Sequence, residues 1–238
     1  MEASQPAEKI VAFVLYPGLT PLDIVGALQV FTSLNKVAPQ FRPVVVAERI
    51  EPMGTDLEFD LIADKTFAEV PHPDIIVVPG GVQGTLQAMR NPTLLAYVRT
   101  AAESAEIVAS VCTGSLILAS AGLLGDRPST THWVAAGMLN NFGARYQTKR
   151  WVEDGKFIMA AGVSAGIDMA LYLVARLTDQ ETMRTVQLDI EYDPQPPFGR
   201  IDVAHLDRVP RTIRSVISLA APLLTRRSKQ LSKQAGWS

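Results

Sequence analysis

The chain has 238 residues, 47% hydrophobic and 19% charged, a length and balance that bury one large core and exclude collagen-like, coiled-coil and disordered classes. Lys and Arg number 22 against 24 Asp and Glu, so the net charge of −2 draws the surface neither to nucleic acid nor to anionic membrane, and no specific nucleic-acid partner is expected. One cysteine, Cys112, forms no internal disulfide, and with three histidines (His72, His132 and His205) it is a thin supply for structural zinc; a reducing, cytoplasmic setting and no metal are expected.

The N-terminus lacks the basic start and apolar run of a secretory signal. Apolar stretches are broken well before the about 20 residues that a bilayer span needs, so no membrane association is expected. Residues 10–16 form a nearly unbroken apolar run ending at Pro17-Gly18, the pattern of a strand covered on both faces. Thr20-Pro21-Leu22-Asp23 then supplies an N-cap, a proline at the first helical position and an acid at the third, opening a helix through Leu34. The alternation continues with strands over 43–47, 75–78 and 107–111 and a helix over 92–105. Residues 54–62 and 145–159 are predicted hairpins near the sheet edges, the second turning at Glu153-Asp154-Gly155. Helices over 164–177 and 180–190 close the pattern before Asp193-Pro194-Gln195-Pro196-Pro197.

This order predicts one doubly wound α/β domain over residues 1–193, a flavodoxin-like three-layer sandwich with a mostly parallel sheet. Residues 194–238 are expected to form a C-terminal extension with a proline-containing linker and a basic helical segment that includes Arg208, Arg211, Arg214, Arg226, Arg227, Lys229 and Lys233.

The chemistry concentrates where a buried strand, Ile107-Val108-Ala109-Ser110-Val111, runs through Cys112 into an apolar helix. Such a nucleophile elbow demands small residues two positions to each side, here Ser110 and Gly114. A thiol at a helix start meets backbone amides that favour the thiolate; the bland alternative is a cysteine packed as a small hydrophobe. Pro79-Gly80-Gly81 ends the preceding strand, where its amides are candidate oxyanion donors or an ordinary turn. Asp23 lies on the loop after the first strand, at the same end of the sheet, and is either a proton carrier or one half of a capping pair with Thr20. As a cap, its replacement by Asn would cost about 1 kcal/mol or less. His132, in Thr130-Thr131-His132-Trp133, is either a partner of the thiol or a local cap.

Through Leu22-Asp23, Pro79-Gly80-Gly81, the Ser110–Leu116 elbow, Thr130–Trp133 and Gly162-Val163-Ser164-Ala165-Gly166-Ile167-Asp168, the chain resembles the ThiJ/PfpI superfamily, with its class I glutamine amidotransferase-like fold. The match spans about residues 10–192, and within the superfamily it is similar to the bacterial isocyanide hydratases. AraC-type regulators share the Thr-Thr-His-Trp and Ala-Gly-Ile-Asp segments, but they append a helix-turn-helix unit longer than the chain beyond Asp193. Thr113 stands where peptidase-like members carry His, no His-x-Glu serves amide transfer, and Asp23 replaces the glutamate of chaperone and glyoxalase-like members.

The resemblance implies cofactor-free hydration of an isocyanide substrate to an N-substituted formamide. Cys112 would attack and Asp23 would carry the proton through a thioimidate, while Thr113 orients Cys112 or Asp23 and amides near Gly80, Gly81 and Thr113 stabilise developing charge. His132 stands as a possible outer residue, and a homodimer is expected. The alternatives are a glyoxalase-like enzyme acting on small α-ketoaldehydes and a non-catalytic cysteine redox sensor or binding module.

Overall fold

Four runs of apolar residues, each too short for a stable helix and buried along almost their whole length, form the middle of the sheet: β1 (Lys9–Val14), β6 (Ile75–Val78), β7 (Ile107–Val111) and β11 (Phe157–Ala160). The computed structural model describes residues 7–197 and 199. Between β1 and β6 come helix α1 (Pro21–Val37), β2 (Phe41–Ala47), the short pair β3 (Met53–Gly54) and β4 (Asp60–Leu61), and β5 (Lys65–Thr66). Helices α2 (Val82–Ala88) and α3 (Pro92–Ser104) precede β7, and α4 (Gly114–Ser120) follows it. After α4 the chain makes β8 (Pro128–Ser129), a 3-10 turn (Trp133–Ala135), α5 (Ala136–Asn141), β9 (Arg145–Tyr146) and β10 (Trp151–Asp154). Beyond β11 lie α6 (Ala165–Leu177) and α7 (Gln180–Asp189).

The central sheet has seven strands in the order β10-β11-β7-β6-β1-β2-β5, all parallel except the edge strand β10. Helices α1, α6 and α7 pack together on one face and α2, α3, α4 and α5 on the other, giving the flavodoxin-like three-layer sandwich. From β1 the chain moves outward to β2 and then returns to the opposite side of β1 as β6. That reversal is the topological switch point, where the loops of adjacent strands separate and leave a crevice. Pro43 lies within β2 without breaking the ladder. The neighbouring odd-numbered residue Val45 turns its N–H and C=O toward Asp64, on the β5 side, while β5 pairs only with Val46 and Ala47, so the missing donor of Pro43 falls on an open edge.

Two expectations need correction. The hairpin predicted over 145–159 is confined to β10 and β11; Arg145 and Tyr146 pair in parallel with Pro128 and Ser129 instead, and β11 is an interior strand beside β7. The capping pair at α1 does not form: Thr20 makes no side-chain cap and its hydroxyl donates to Asp56, while the Asp23 carboxyl turns away from the helix start. The expected hairpin over 54–62 is present as β3 and β4. The basic segment predicted near the C-terminus lies outside the described residues. Among the described residues, no helix is long and apolar enough to cross a membrane.

Candidate active site

Because β7, β6 and β1 are neighbours, the loops at their C-terminal ends meet, bringing together Cys112, Gly80-Gly81 and Asp23. Cys112 has φ +58°, a left-handed conformation that costs a non-glycine residue about 1–2 kcal/mol. The surroundings hold it there. Its N–H donates to Ala160 O at 3.1 Å, and its carbonyl accepts from Thr131 Oγ1 at 3.1 Å and Ser115 Oγ at 3.3 Å. The small residue after the elbow is a steric requirement: a Cβ on Gly114 would lie 2.1 Å from Val78 O and 2.8 Å from Pro79 O.

Asp23 is fully buried. Its Oδ2 accepts the Gly80 N–H at 2.9 Å, across 57 residues of chain. Oδ1 has no hydrogen-bond partner among the described residues. Gly80 must be glycine for this approach, since a Cβ there would sit 2.5 Å from Thr113 N, 2.6 Å from Thr113 Oγ1 and 2.8 Å from Asp23 Oδ2.

Thr113 is tied into a chain of hydroxyls whose direction follows from counting protons. Tyr16 has one hydroxyl proton and gives it to Pro79 O at 2.8 Å, so in its 3.2 Å contact with Thr85 Oγ1 the threonine donates. Thr85 then has no proton left for Thr113, and in their 2.8 Å contact Thr113 donates. The Thr113 oxygen in turn accepts the Gly81 N–H at 3.0 Å. One expectation changes accordingly: the Gly80 and Gly81 amides, predicted as oxyanion donors, already bind Asp23 and Thr113.

Burial governs the acid–base behaviour. It pushes the Asp23 carboxyl up to about 7, against the opposing effect of the Gly80 N–H and the Cys112 thiol. Burial also pushes the Cys112 thiol up, and the adjacent Asp23 charge adds to this; the N–H and hydroxyl of Thr113 pull the other way and are outweighed. The resting thiol is therefore protonated, contrary to the expectation that amides at the helix start would favour a thiolate. At neutral pH the thiol and carboxyl together hold one to two protons, and the carboxyl is the group poised to take one.

The hydrogen bond that His132 makes is local. The residue is half-buried and caps the 3-10 turn, with Nδ1 accepting the Val134 N–H at 3.4 Å, and burial lowers its basicity and keeps the ring neutral. The Thr-Thr-His-Trp segment reaches the elbow through Thr131 instead. Asp168 pairs with Arg150 and accepts from Tyr192 Oη at 2.9 Å, which ties the end of the domain to α6. Among the described residues, no group of three or more His, Cys, Asp or Glu could hold a metal ion.

The DJ-1/PfpI family model matches residues 9–176, from the first strand through the elbow to α6. The chain belongs to the DJ-1/PfpI family. It is 38% identical over 188 residues to the isonitrile hydratase of Pseudomonas putida, covering 79% of this chain and 80% of that one. The structure of a ThiJ/PfpI family protein from Pseudomonas syringae superimposes with a TM-score of 0.80 at 33% identity, covering 97% and 93% of the two chains. The transcriptional regulator CdhR of Pseudomonas aeruginosa is 28% identical over 195 residues, 79% of this chain and 55% of the regulator. The relatives of this chain therefore include one protein named for an enzyme and one named for a regulator.

Proposed function

We propose that the protein hydrates isocyanides to N-substituted formamides with no cofactor, Cys112 acting as nucleophile and Asp23 as proton carrier. The observation that carries this reading is the buried Asp23 carboxyl, bound at Oδ2 by Gly80 and open at Oδ1, beside a thiol on a strained elbow. The likeness to the Pseudomonas putida isonitrile hydratase supports the substrate, since isonitrile and isocyanide name the same –N≡C group.

In the first step Asp23 takes the thiol proton as sulfur bonds to the terminal carbon of R–N≡C. The carboxyl then delivers that proton to the same carbon, leaving the thioimidate R–N=CH–S–Cys112. Water adds to this carbon, one of its protons passing to nitrogen. The C–S bond breaks to release R–NH–CHO, and the remaining proton returns to sulfur through Asp23. The Thr113 N–H, which acts on the sulfur, stabilises charge there, while Gly80 and Gly81 position Asp23 and Thr113. A carboxyl tuned near neutrality suits both directions of proton transfer. A cytoplasmic setting fits, because it keeps the sole thiol reduced. A homodimer fits the exposed Leu22 and Val25 at the start of α1, next to Asp23.

The pH dependence tests the pairing. Below about 7 Asp23 is protonated and cannot accept the thiol proton, whereas above it the carboxylate is ready. For formamide release from an aromatic isocyanide, kcat/KM is expected to rise about tenfold per pH unit on the acid side and to level off above about 7. A profile flat from mildly acidic to mildly alkaline pH would contradict the assignment.

A further inference from the structure

The hydrogen bond between Asp23 and Gly80 is one side of a closed ring. The Gly80 N–H donates to Asp23 Oδ2 at 2.9 Å, the Asp23 N–H donates to Thr20 O at 3.0 Å, and the Thr20 N–H donates to Gly80 O at 2.9 Å. Thr20 thus grips both ends of the bond that holds the carboxyl. It does so through its backbone, because its side chain is turned elsewhere: Thr20 Oγ1 donates to Asp56 Oδ2 at 2.5 Å. A threonine at the N-cap ordinarily turns its oxygen onto the helix and accepts an N–H of the first turn. Thr20 makes no such cap on α1, so its hydroxyl is committed to Asp56.

Asp56 lies between β3 and β4, a hairpin of two-residue strands that is not part of the central sheet. Three hydrogen bonds fasten this hairpin to consecutive residues of the loop after β1: Gly18 N–H to Gly54 O at 2.7 Å, Asp56 N–H to Leu19 O at 3.0 Å, and the Thr20 hydroxyl to the Asp56 carboxylate. The same loop presses on the end of β6, where a Cβ on Gly81 would lie 2.5 Å from Gly18 O and 2.9 Å from Thr20 N. Asp56 therefore fixes itself on Leu19 with its backbone and fixes Thr20 with its carboxylate, a charge-assisted bond. We propose that Asp56 is a positioning residue that holds Thr20 by its hydroxyl and so keeps the Asp23 carboxyl against Gly80. The β3–β4 hairpin is then a strap across the loop that carries the acid, and Asp56 acts on the carboxyl through Thr20.

The inference rests on Asp23 being the proton carrier of the proposed function, but its test reads the bond between Asp23 and Gly80 and uses no isocyanide. A protein inactive toward isocyanides and a wrong role for Asp56 thus give different results. The sequence contains the dipeptide Pro-Gly at Pro17-Gly18 and Pro79-Gly80 and nowhere else. With proline carrying ¹³C at its carbonyl and glycine carrying ¹⁵N, the coupled amide signals come from Gly18 and Gly80 alone, the first bonded to the hairpin and the second to Asp23. The Gly80 signal is the one that moves in Asp23→Asn. Thr20→Val keeps the shape of the side chain and suits the extended backbone, yet it removes the bond to Asp56, and hydrogen exchange at Gly80 is expected to quicken about fivefold, the equivalent of one modest hydrogen bond. Asp56→Ala removes the same bond from the other side and is expected to act alike. Thr20→Ser keeps the donor and Asp56→Asn keeps an acceptor, and both are expected to exchange close to the original rate. That pattern separates the bond from a mere loosening of the loop, which the smaller serine would also produce. Thermal melting of each variant establishes that it is folded. Unchanged Gly80 exchange in folded Thr20→Val or Asp56→Ala, or equal increases in Thr20→Val and Thr20→Ser, would overturn the proposal.

Discussion

Asp23→Asn is expected to lose formamide production by about a thousandfold or more, the scale of removing a general acid–base group, while becoming more stable than the parent at pH 8. The two effects have one origin. The asparagine side chain keeps an oxygen for the Gly80 N–H but carries no transferable proton. Burial raises the Asp23 carboxyl from 3.8 to about 7, so the folded state holds a proton that the unfolded chain has already released over that range. The stability from this group is fully present below 3.8 and lost as pH rises to about 7, an upper limit of about 4 kcal/mol at about 1.4 kcal/mol per unit. The neutral amide escapes this loss. Thermal or urea unfolding from pH 4 to 8 should show the gap between the Asp23→Asn variant and the parent widening up to about pH 7 and constant beyond it. A variant that is destabilised equally at every pH would restore Asp23 to the role of a helix cap.

The second large effect concerns the elbow. Gly114→Ala places a methyl group 2.1 Å from Val78 O and 2.9 Å from Pro79 C, both backbone atoms of the strand end that supplies Gly80. No rotamer relieves this contact, so β6 and α4 must separate. A loss of about 3 kcal/mol or more in unfolding free energy is expected, together with loss of the site, because the same displacement carries Gly80 away from Asp23. Urea denaturation measures the first effect. A Gly114→Ala protein of unchanged midpoint would mean that the elbow tolerates a bulkier neighbour than the geometry allows.

The contrast between the legible and illegible parts of the sequence follows from how each is stabilised. β1, β6 and β7 are continuous apolar runs bounded by Pro17-Gly18, Pro79-Gly80-Gly81 and Cys112-Thr113-Gly114, so local pattern and punctuation coincide. The parallel alternation then places the ends of three adjacent strands together, and Cys112, Asp23 and Gly80 were accessible to that reasoning. By contrast α2, β5, β8 and β9 span seven residues or fewer and owe their form to tertiary contacts. The hydroxyls that organise the site were hidden for a related reason. Thr85 meets Thr113 across 28 residues and Tyr16 across 69, while Thr131 meets the Cys112 carbonyl across 19. A threonine in a helix or loop carries no local sign that its partner is another buried hydroxyl. Of the two readings open for His132, the structure shows the local one, its half-buried ring accepting from the turn that follows it. The direction of the Cys112 shift was also invisible, since burial and a fully buried carboxylate outweigh amides whose presence the sequence does suggest.

The central claim is that one thiol, assisted by one buried carboxyl, carries the reaction. The most direct test is formamide production from a simple aromatic isocyanide under reducing conditions, comparing the intact protein with Cys112→Ala. Steady turnover by the intact protein is expected, with none above the uncatalysed rate in a folded Cys112→Ala variant. Turnover that persists without the thiol, or a folded and reduced intact protein that converts no isocyanide across a series of R groups, would contradict it.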